Sequence, residues 1–416
     1  MRLRVRDVAF GVSDCTTRLP FRFGINTMTW APTLTARVEL ESEAGASVGY
    51  SADLLVPKWF EKDPSKSIEQ DMRGLMASAE AAAAGYLTSG EATAFDLWHG
   101  VYRDRVLSRP FEASDRLLRG FGVALVERAL LDAACRAAGL SFFEALRQDL
   151  FGLRAELLFP ELDGWSLAES LADAPLDSVA LRHTVGLVDE LRSSEVTERL
   201  DDGRPEALEE DIAAYGLSWF KLKLCGDPAV DLPRCLDFAG VVAGGAPDCW
   251  RVTVDGNEQY ASAAALADFL AELARHDRGA DLLSRLDLIE QPLARARSFE
   301  ETERDGLARL LQPAGDGRLG HGFAQSRHHD VGLRARVGRG FGRGRCGFGG
   351  LCGRLVRMGR QDHLNAFAAF QRFELCFCFA FQNFHPGHAP RVDLQNEADR
   401  TAIDLQCPHH ARGGNV

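Results

Sequence analysis

Three strand-like segments end on polar residues at nearly equal intervals, and this spacing constrains the fold more than any other feature of the chain. Trp219-Phe-Lys-Leu-Lys-Leu carries Lys221 and Lys223, Trp250-Arg-Val-Thr-Val-Asp ends on Asp255, and Leu286-Asp-Leu-Ile-Glu ends on Glu290. Lys223, Asp255 and Glu290 stand 32 and 35 residues apart. Helical stretches fill the gaps, Asp231 to Val242 and Ala261 to His276. That is the length of a strand, a helix and the return to a parallel neighbour. Eight such units close a barrel of roughly 250 residues. Upstream, Ser178-Val-Ala-Leu-Arg-His-Thr-Val-Gly-Leu reads as a strand entering a loop, and Pro205 to Tyr215 as a helix. Four strands separated by helices predict a parallel sheet.

The first 150 residues have a different texture. Arg2 to Val12 alternates apolar with charged residues, and Thr33 to Ser42 does so more clearly. Gly45 then turns into Ser47-Val-Gly-Tyr-Ser, so a three-stranded antiparallel meander is expected. Helices are expected over Ser67 to Gly85 and over Ser114 to Leu140, the latter closing near Gly139. The fold class is therefore α/β: an α+β domain over residues 1–150, then a (β/α) TIM-type barrel whose first half spans 151–311. The chain offers no apolar run long enough for a membrane helix. Its first residues alternate like a strand and lack a signal-peptide core. A cytoplasmic protein is the expectation. The net charge of −12 opposes a nucleic-acid-binding role for the whole chain.

Polar groups at the C-terminal ends of successive parallel strands converge on one mouth. Asp255 and Glu290 are hard oxygen donors of the kind Mg²⁺ takes. Lys223 beside a divalent cation would have its ammonium form disfavoured and would serve as a base near neutral pH. Taken singly, a Lys at a strand end is ordinarily solvated, and an acid there is ordinarily a helix cap. Three such groups at one period, with Lys221 and Lys223 spaced to share a strand face, favour a site.

Phe220-Lys-Leu-Lys-Leu, Val254-Asp-Gly-Asn-Glu-Gln-Tyr and Leu288-Ile-Glu-Gln-Pro-Leu together resemble the enolase superfamily, specifically its mandelate racemase/muconate lactonizing group. The resemblance covers residues 1–311. It implies that the α+β domain caps the barrel, and that the activity is Mg²⁺-dependent removal of the proton α to a carboxylate. The outcome would be racemisation, epimerisation, dehydration or cycloisomerisation. Lys223 would be the base, and Lys221 would lower its pKa and help neutralise the substrate carboxylate. Asp255 and Glu290 would be metal ligands, with Asn257 in support. The loops Phe21 to Trp30 and Asp53 to Phe60 match segments that close over the barrel in the family. Their apolar members Phe23, Ile25, Met28, Trp30, Leu54, Leu55 and Trp59 point to a small, partly apolar carboxylate, or else simply pack the two parts together. A homo-oligomer is expected.

Residues 312–416 break the pattern. They hold 8 of the 11 His and 5 of the 10 Cys, no Lys, Trp or Tyr, and a net charge of +6, against −18 for the rest. Asp316 stands where a third metal ligand is needed, but it lies between two glycines, as in a turn. No strand–helix period follows. A slipped reading frame accounts best for so abrupt a change in composition. Two other readings are an RNA-binding tail, from the Arg-Gly-Phe stretch, and a zinc site, from Cys376, Cys378, His385, His388, Cys407, His409 and His410. With such a tail the chain would be an incomplete barrel, and a catalytically dead remnant is the alternative to an active enzyme.

Overall fold

The computed structural model describes residues 1–108 and 113–310. Asp316 and the segment 312–416, with its frame-shift, RNA and zinc readings, lie outside the described residues.

Alternation of apolar and polar residues builds the first sheet. Strands β1 (Leu3–Ser13), β4 (Thr33–Ser42) and β5 (Gly45–Leu54) pair antiparallel in the order β1-β4-β5. Along β4, Leu34, Ala36, Val38 and Leu40 are fully buried, while the residues between them face away. Each large aliphatic side chain buried this way stabilises by roughly 1.5–3 kcal/mol. Helices α1 (Ile68–Thr88) and α3 (Ala113–Ala138) cover that face, and α2 (Ala94–Tyr102) packs on both of them. α1 starts at a capping box in which Ser67 Oγ accepts from Gln70 N and Gln70 Oε1 accepts from Ser67 N. α3 lies directly on β5, where a Cβ on Gly49 would stand 2.2 Å from Ala133 N and 2.3 Å from Ala129 O. Only glycine allows that approach.

The segment expected as a loop over Phe21 to Trp30 is instead most of a hairpin, β2 (Thr16–Phe23) and β3 (Asn26–Trp30). Pro20 and a register shift between Thr16 and Phe21 obscure its alternation in the sequence.

The second part alternates strands and helices. β6 (Arg182–Val185), β7 (Trp219–Lys223), β8 (Arg251–Asp255) and β9 (Leu286–Glu290) form a parallel sheet in chain order. After the short helices α4 (Phe142–Arg147) and α5 (Leu167–Ser170) come α6 (Leu208–Tyr215), α7 (Pro228–Gly245), α8 (Ala263–Leu273), α9 (Asp277–Ser284) and α10 (Glu301–Leu310). An α+β part followed by parallel β/α units is the fold class read from the sequence. The first strand is shorter than expected: residues 178–181 are not in it, and Val179 and Leu181 are exposed. The cause is register, since Arg182 pairs with Trp219, the first residue of β7, and earlier residues find no partner.

Strand periodicity separates the two faces of this sheet. Val185, Phe220, Leu222, Val252, Val254 and Ile289 pack with helical residues such as Ile212, Phe238, Leu266 and Leu282 in one apolar core. Lys221, Lys223, Thr253, Asp255 and Glu290 lie on the other face.

Candidate active site

Register brings the site together. Lys223 pairs with Asp255, and Asp255 with Glu290, so three strand ends stand side by side. Lys221 points the same way as Lys223, and Leu222 lies opposite in the helix-covered core. Lys223 Nζ donates to Asp255 Oδ2 at 2.7 Å. Lys221 Nζ sits between the two acids, 2.8 Å from Asp255 Oδ2 and 2.6 Å from Glu290 Oε1. Asp255 Oδ1 accepts from Asn257 N at 2.9 Å. All five residues that the sequence singles out are buried in one cluster, at 0 to 8% exposure.

Buried charges are costly unless paired, and here two ammoniums meet two carboxylates. Burial works against the charge on Lys221, but Asp255 and Glu290 outweigh it and push its pKa up. At Lys223 burial prevails, with the charge of Lys221 adding to it against the pull of Asp255, and the pKa falls. Asp255 stays well below the usual carboxylate range because Lys221 and Lys223 overcome its burial. The two lysines, two residues apart, are thus driven in opposite directions. Of the two, Lys223 is the one whose charged form burial disfavours.

The donor chemistry suits a small hard cation. Glu290 Oε2 and both carboxamide atoms of Asn257 are buried without a hydrogen-bond partner, and such atoms in a polar cluster call for an explanation. The number of acids is low, however. Among the described residues no group of three acidic, His or Cys side chains stands ready to hold a metal.

The N-terminal part supplies the wall. The rings of Phe23 and Trp59, edge to face at 5.8 Å, lie 5.9 and 6.0 Å from Lys223 Nζ. Of the other apolar loop residues named from the sequence, Leu55 belongs to the N-terminal core, Ile25 and Trp30 are exposed, and Met28 and Leu54 are half-buried.

Two further groups escaped the sequence reading. Arg182 on β6 donates to Thr253 Oγ1 at 3.2 Å and comes within 3.9 Å of Glu290 Oε2. Asp231, fully buried in the first turn of α7, accepts from Cys225 N and Gly226 N, both at 2.9 Å, and from Tyr260 Oη at 3.0 Å. It ties the loop after Lys223 to the loop after Asp255. Gly226, at φ +78°, fits because a Cβ there would stand 2.6 Å from Gln259 O. Arg182 had a signal in the sequence, a charged residue in step with Thr184 on a strand. Asp231 reads as an ordinary acid at a helix start.

No family model and no curated protein matches this chain. Solved structures do. An enolase from Bradyrhizobium complexed with magnesium and mandelic acid is similar over 71% of this chain and 63% of its own, at 15% identity and a TM-score of 0.44. A muconate lactonizing enzyme from Pseudomonas fluorescens complexed with muconolactone is similar over 77% and 66%, at 17% identity and a TM-score of 0.43. A dipeptide epimerase from Methylococcus capsulatus complexed with Mg and a dipeptide is similar over 77% and 68%, at 18% identity and a TM-score of 0.45. The chain thus spans about two thirds of the length of these structures, and less than that of the first.

Proposed function

We propose that this chain is built to remove the proton α to the carboxylate of a small, partly apolar substrate, as a member of the mandelate racemase/muconate lactonizing group of the enolase superfamily. The observation that carries the reading is the cluster itself: Lys221, Lys223, Asp255 and Glu290 meet, all buried, at the ends of three adjacent parallel strands, with Lys221 between the two carboxylates and Lys223 beside the rings of Phe23 and Trp59. A carbon acid beside a carboxylate is very weak, and its enolate forms only where the doubled negative charge meets fixed positive charge.

In this mechanism Lys223, once it has given up its ammonium proton, takes the α-proton on Nζ. Lys221, which stays an ammonium, offsets the charge that develops on the carboxylate oxygens. Asp255 and Glu290 would hold Mg²⁺, which when bound supplies further positive charge to the same oxygens. Asn257 directs its backbone N–H to Asp255 and so orients that carboxylate. Phe23 and Trp59 exclude water from Lys223 and face an apolar group of the substrate. Racemisation, epimerisation, dehydration and cycloisomerisation all start from this step, and the group opposite Lys223 selects among them. Residues 1–150 act as the cap and 151–311 as the first half of the barrel, in a cytoplasmic homo-oligomer.

A second reading is favoured by one observation. The two ammoniums already balance the two carboxylates, as they would in a catalytically dead remnant. Solvent deuterium exchange decides between them: incubate the full chain with Mg²⁺ and a panel of α-substituted carboxylic acids in D₂O, and follow the α-proton by NMR. Exchange that vanishes in Lys223→Ala supports the enzyme, and its absence across the panel supports the remnant.

A further inference from the structure

Residues 55–62 leave β5 and carry Trp59 to within 6.0 Å of Lys223 Nζ. The N-terminal part holds the start of this segment, with Asn26 Nδ2 donating to Pro57 O at 3.2 Å and Lys58 N to Asp71 Oδ2 at 3.1 Å, and the loops after β8 and β9 hold the stretch around Trp59. The Glu258 side chain, only 8% exposed, pairs with Lys62 Nζ at 3.0 Å and with Arg295 through Nε at 2.9 Å and Nη2 at 2.6 Å. Arg295 Nη1 and Nη2 also donate to Phe60 O and Trp59 O, each at 3.3 Å. Lys62 Nζ donates to Asn257 O at 2.9 Å. One guanidinium therefore grips a carboxylate and two consecutive carbonyls, that of Trp59 and that of the next residue.

Glu258 reaches this position through left-handed backbone, at φ +69° directly after Asn257 at +45°. Non-glycine residues keep such conformations only where the surroundings enforce them. Here Glu258 N donates to Gln291 O, Tyr260 N to Pro292 O at 3.0 Å, and Arg295 N to Glu258 Oε2 at 3.0 Å.

We propose that Arg295, anchored by Glu258, is a positioning residue that sets Trp59 and its partner Phe23 against Lys223 and thereby limits the size of the apolar group accepted beside the reacting carbon. The consequence for substrate size rests on the function proposed above, whereas the positioning of Trp59 does not. The planar fork of Arg is required, because a lysine at 295 would pair with Glu258 as a point charge without spanning both carbonyls.

The test uses the full-length chain. Trp59 emission is isolated by subtracting the matching Trp59→Phe protein, and its quenching by acrylamide is measured in wild type, Arg295→Lys, Arg295→Met and Glu258→Gln. Both Arg295 variants are expected to raise Trp59 quenching severalfold, and Glu258→Gln by an intermediate factor, with far-ultraviolet circular dichroism retained. Wild-type quenching in Arg295→Lys would overturn the proposal, since charge pairing alone would then suffice. Unchanged quenching in Glu258→Gln and Arg295→Met together would also overturn it. In the exchange assay, kcat/KM for a bulky acid relative to a small one should change severalfold in Arg295→Lys; an unchanged ratio overturns the size-limiting role. Trp59 unmasked in a protein with no exchange at all would count against the proposed reaction and not against the positioning.

Discussion

The two sheets solve the same problem in opposite ways. In the N-terminal sheet the central strand β4 is apolar along its whole covered side, through Leu34, Ala36, Val38 and Leu40, and the buried charge at the end of β5, Asp53, is paired with Arg128 of α3 at 2.9 Å. In the parallel sheet the helix-covered face is equally apolar, but the other face carries Lys221, Lys223, Asp255 and Glu290, all buried. Hydrophobic residues of similar volume would serve stability as well or better than a buried ion cluster. The difference teaches where to look for function: a region that accepts the cost of four buried charges has been shaped by something other than folding.

The largest expected effect that separates the two regions is on exchange. Lys223→Ala should lower deuterium exchange by about 10²- to 10⁴-fold, the range of a general base. Leu40→Ala in the N-terminal sheet should leave the exchange rate per folded molecule close to wild type. Next comes stability: Lys221→Met strands two buried carboxylates on one remaining ammonium, and chemical denaturation should report a loss of about 3–5 kcal/mol. Leu222→Ala, on the apolar face of the same sheet, should cost about 2–5 kcal/mol by cavity formation, as Leu40→Ala should in the other sheet. Equal losses for the two leucines would confirm that the sheets differ on one face only.

These contrasts also show what the sequence made legible. β4 and β9 can be read to the residue, because alternation ends cleanly at a turn or a proline. The quartet Lys221, Lys223, Asp255 and Glu290 was legible because strand periodicity and a repeated βα length place side chains without knowledge of anything between them. The hairpin β2–β3 was not, since Pro20 interrupts its pattern. The helix expected over Ala261 to His276 ends at Leu273, and Asp277–Ser284, to which the sequence assigns no element, is a further short helix, its eight residues too few to show a period. Arg295 and Glu258 were invisible for a deeper reason. Their roles depend on a segment more than 190 residues earlier in the chain, and long-range ion pairs have no local signature.

Smaller effects sharpen the comparison. Mg²⁺ titrated calorimetrically into the full chain should bind at millimolar strength or not at all, because two carboxylates shared with ammoniums make a weak site. Micromolar binding would mean that a third ligand exists. The smallest effect concerns the hairpin, where Arg18 grips Asp202 at 2.6 and 2.7 Å and Pro205 O at 2.8 Å. Hydrogen bonding to Arg18 holds the Asp202 pKa down at about 2. A carboxylate depressed in the folded state stabilises above its ordinary value of 3.8 and loses that contribution as pH falls toward about 2. The thermal midpoint difference between wild type and Arg18→Ala should therefore be small at pH 7 and should close between pH 4 and pH 2.

The most direct test removes the charged face as a whole. Lys221→Met, Lys223→Met, Asp255→Asn and Glu290→Gln are combined in one protein, and both denaturant unfolding and α-proton exchange are measured. Charges kept for chemistry predict a fourfold variant that loses much less stability than Lys221→Met alone, because no ion is left unpaired, and whose exchange falls to the solvent background. A variant that unfolds as readily as the sum of its single changes, or that still exchanges at the wild-type rate, would contradict the claim that this face exists to move a proton.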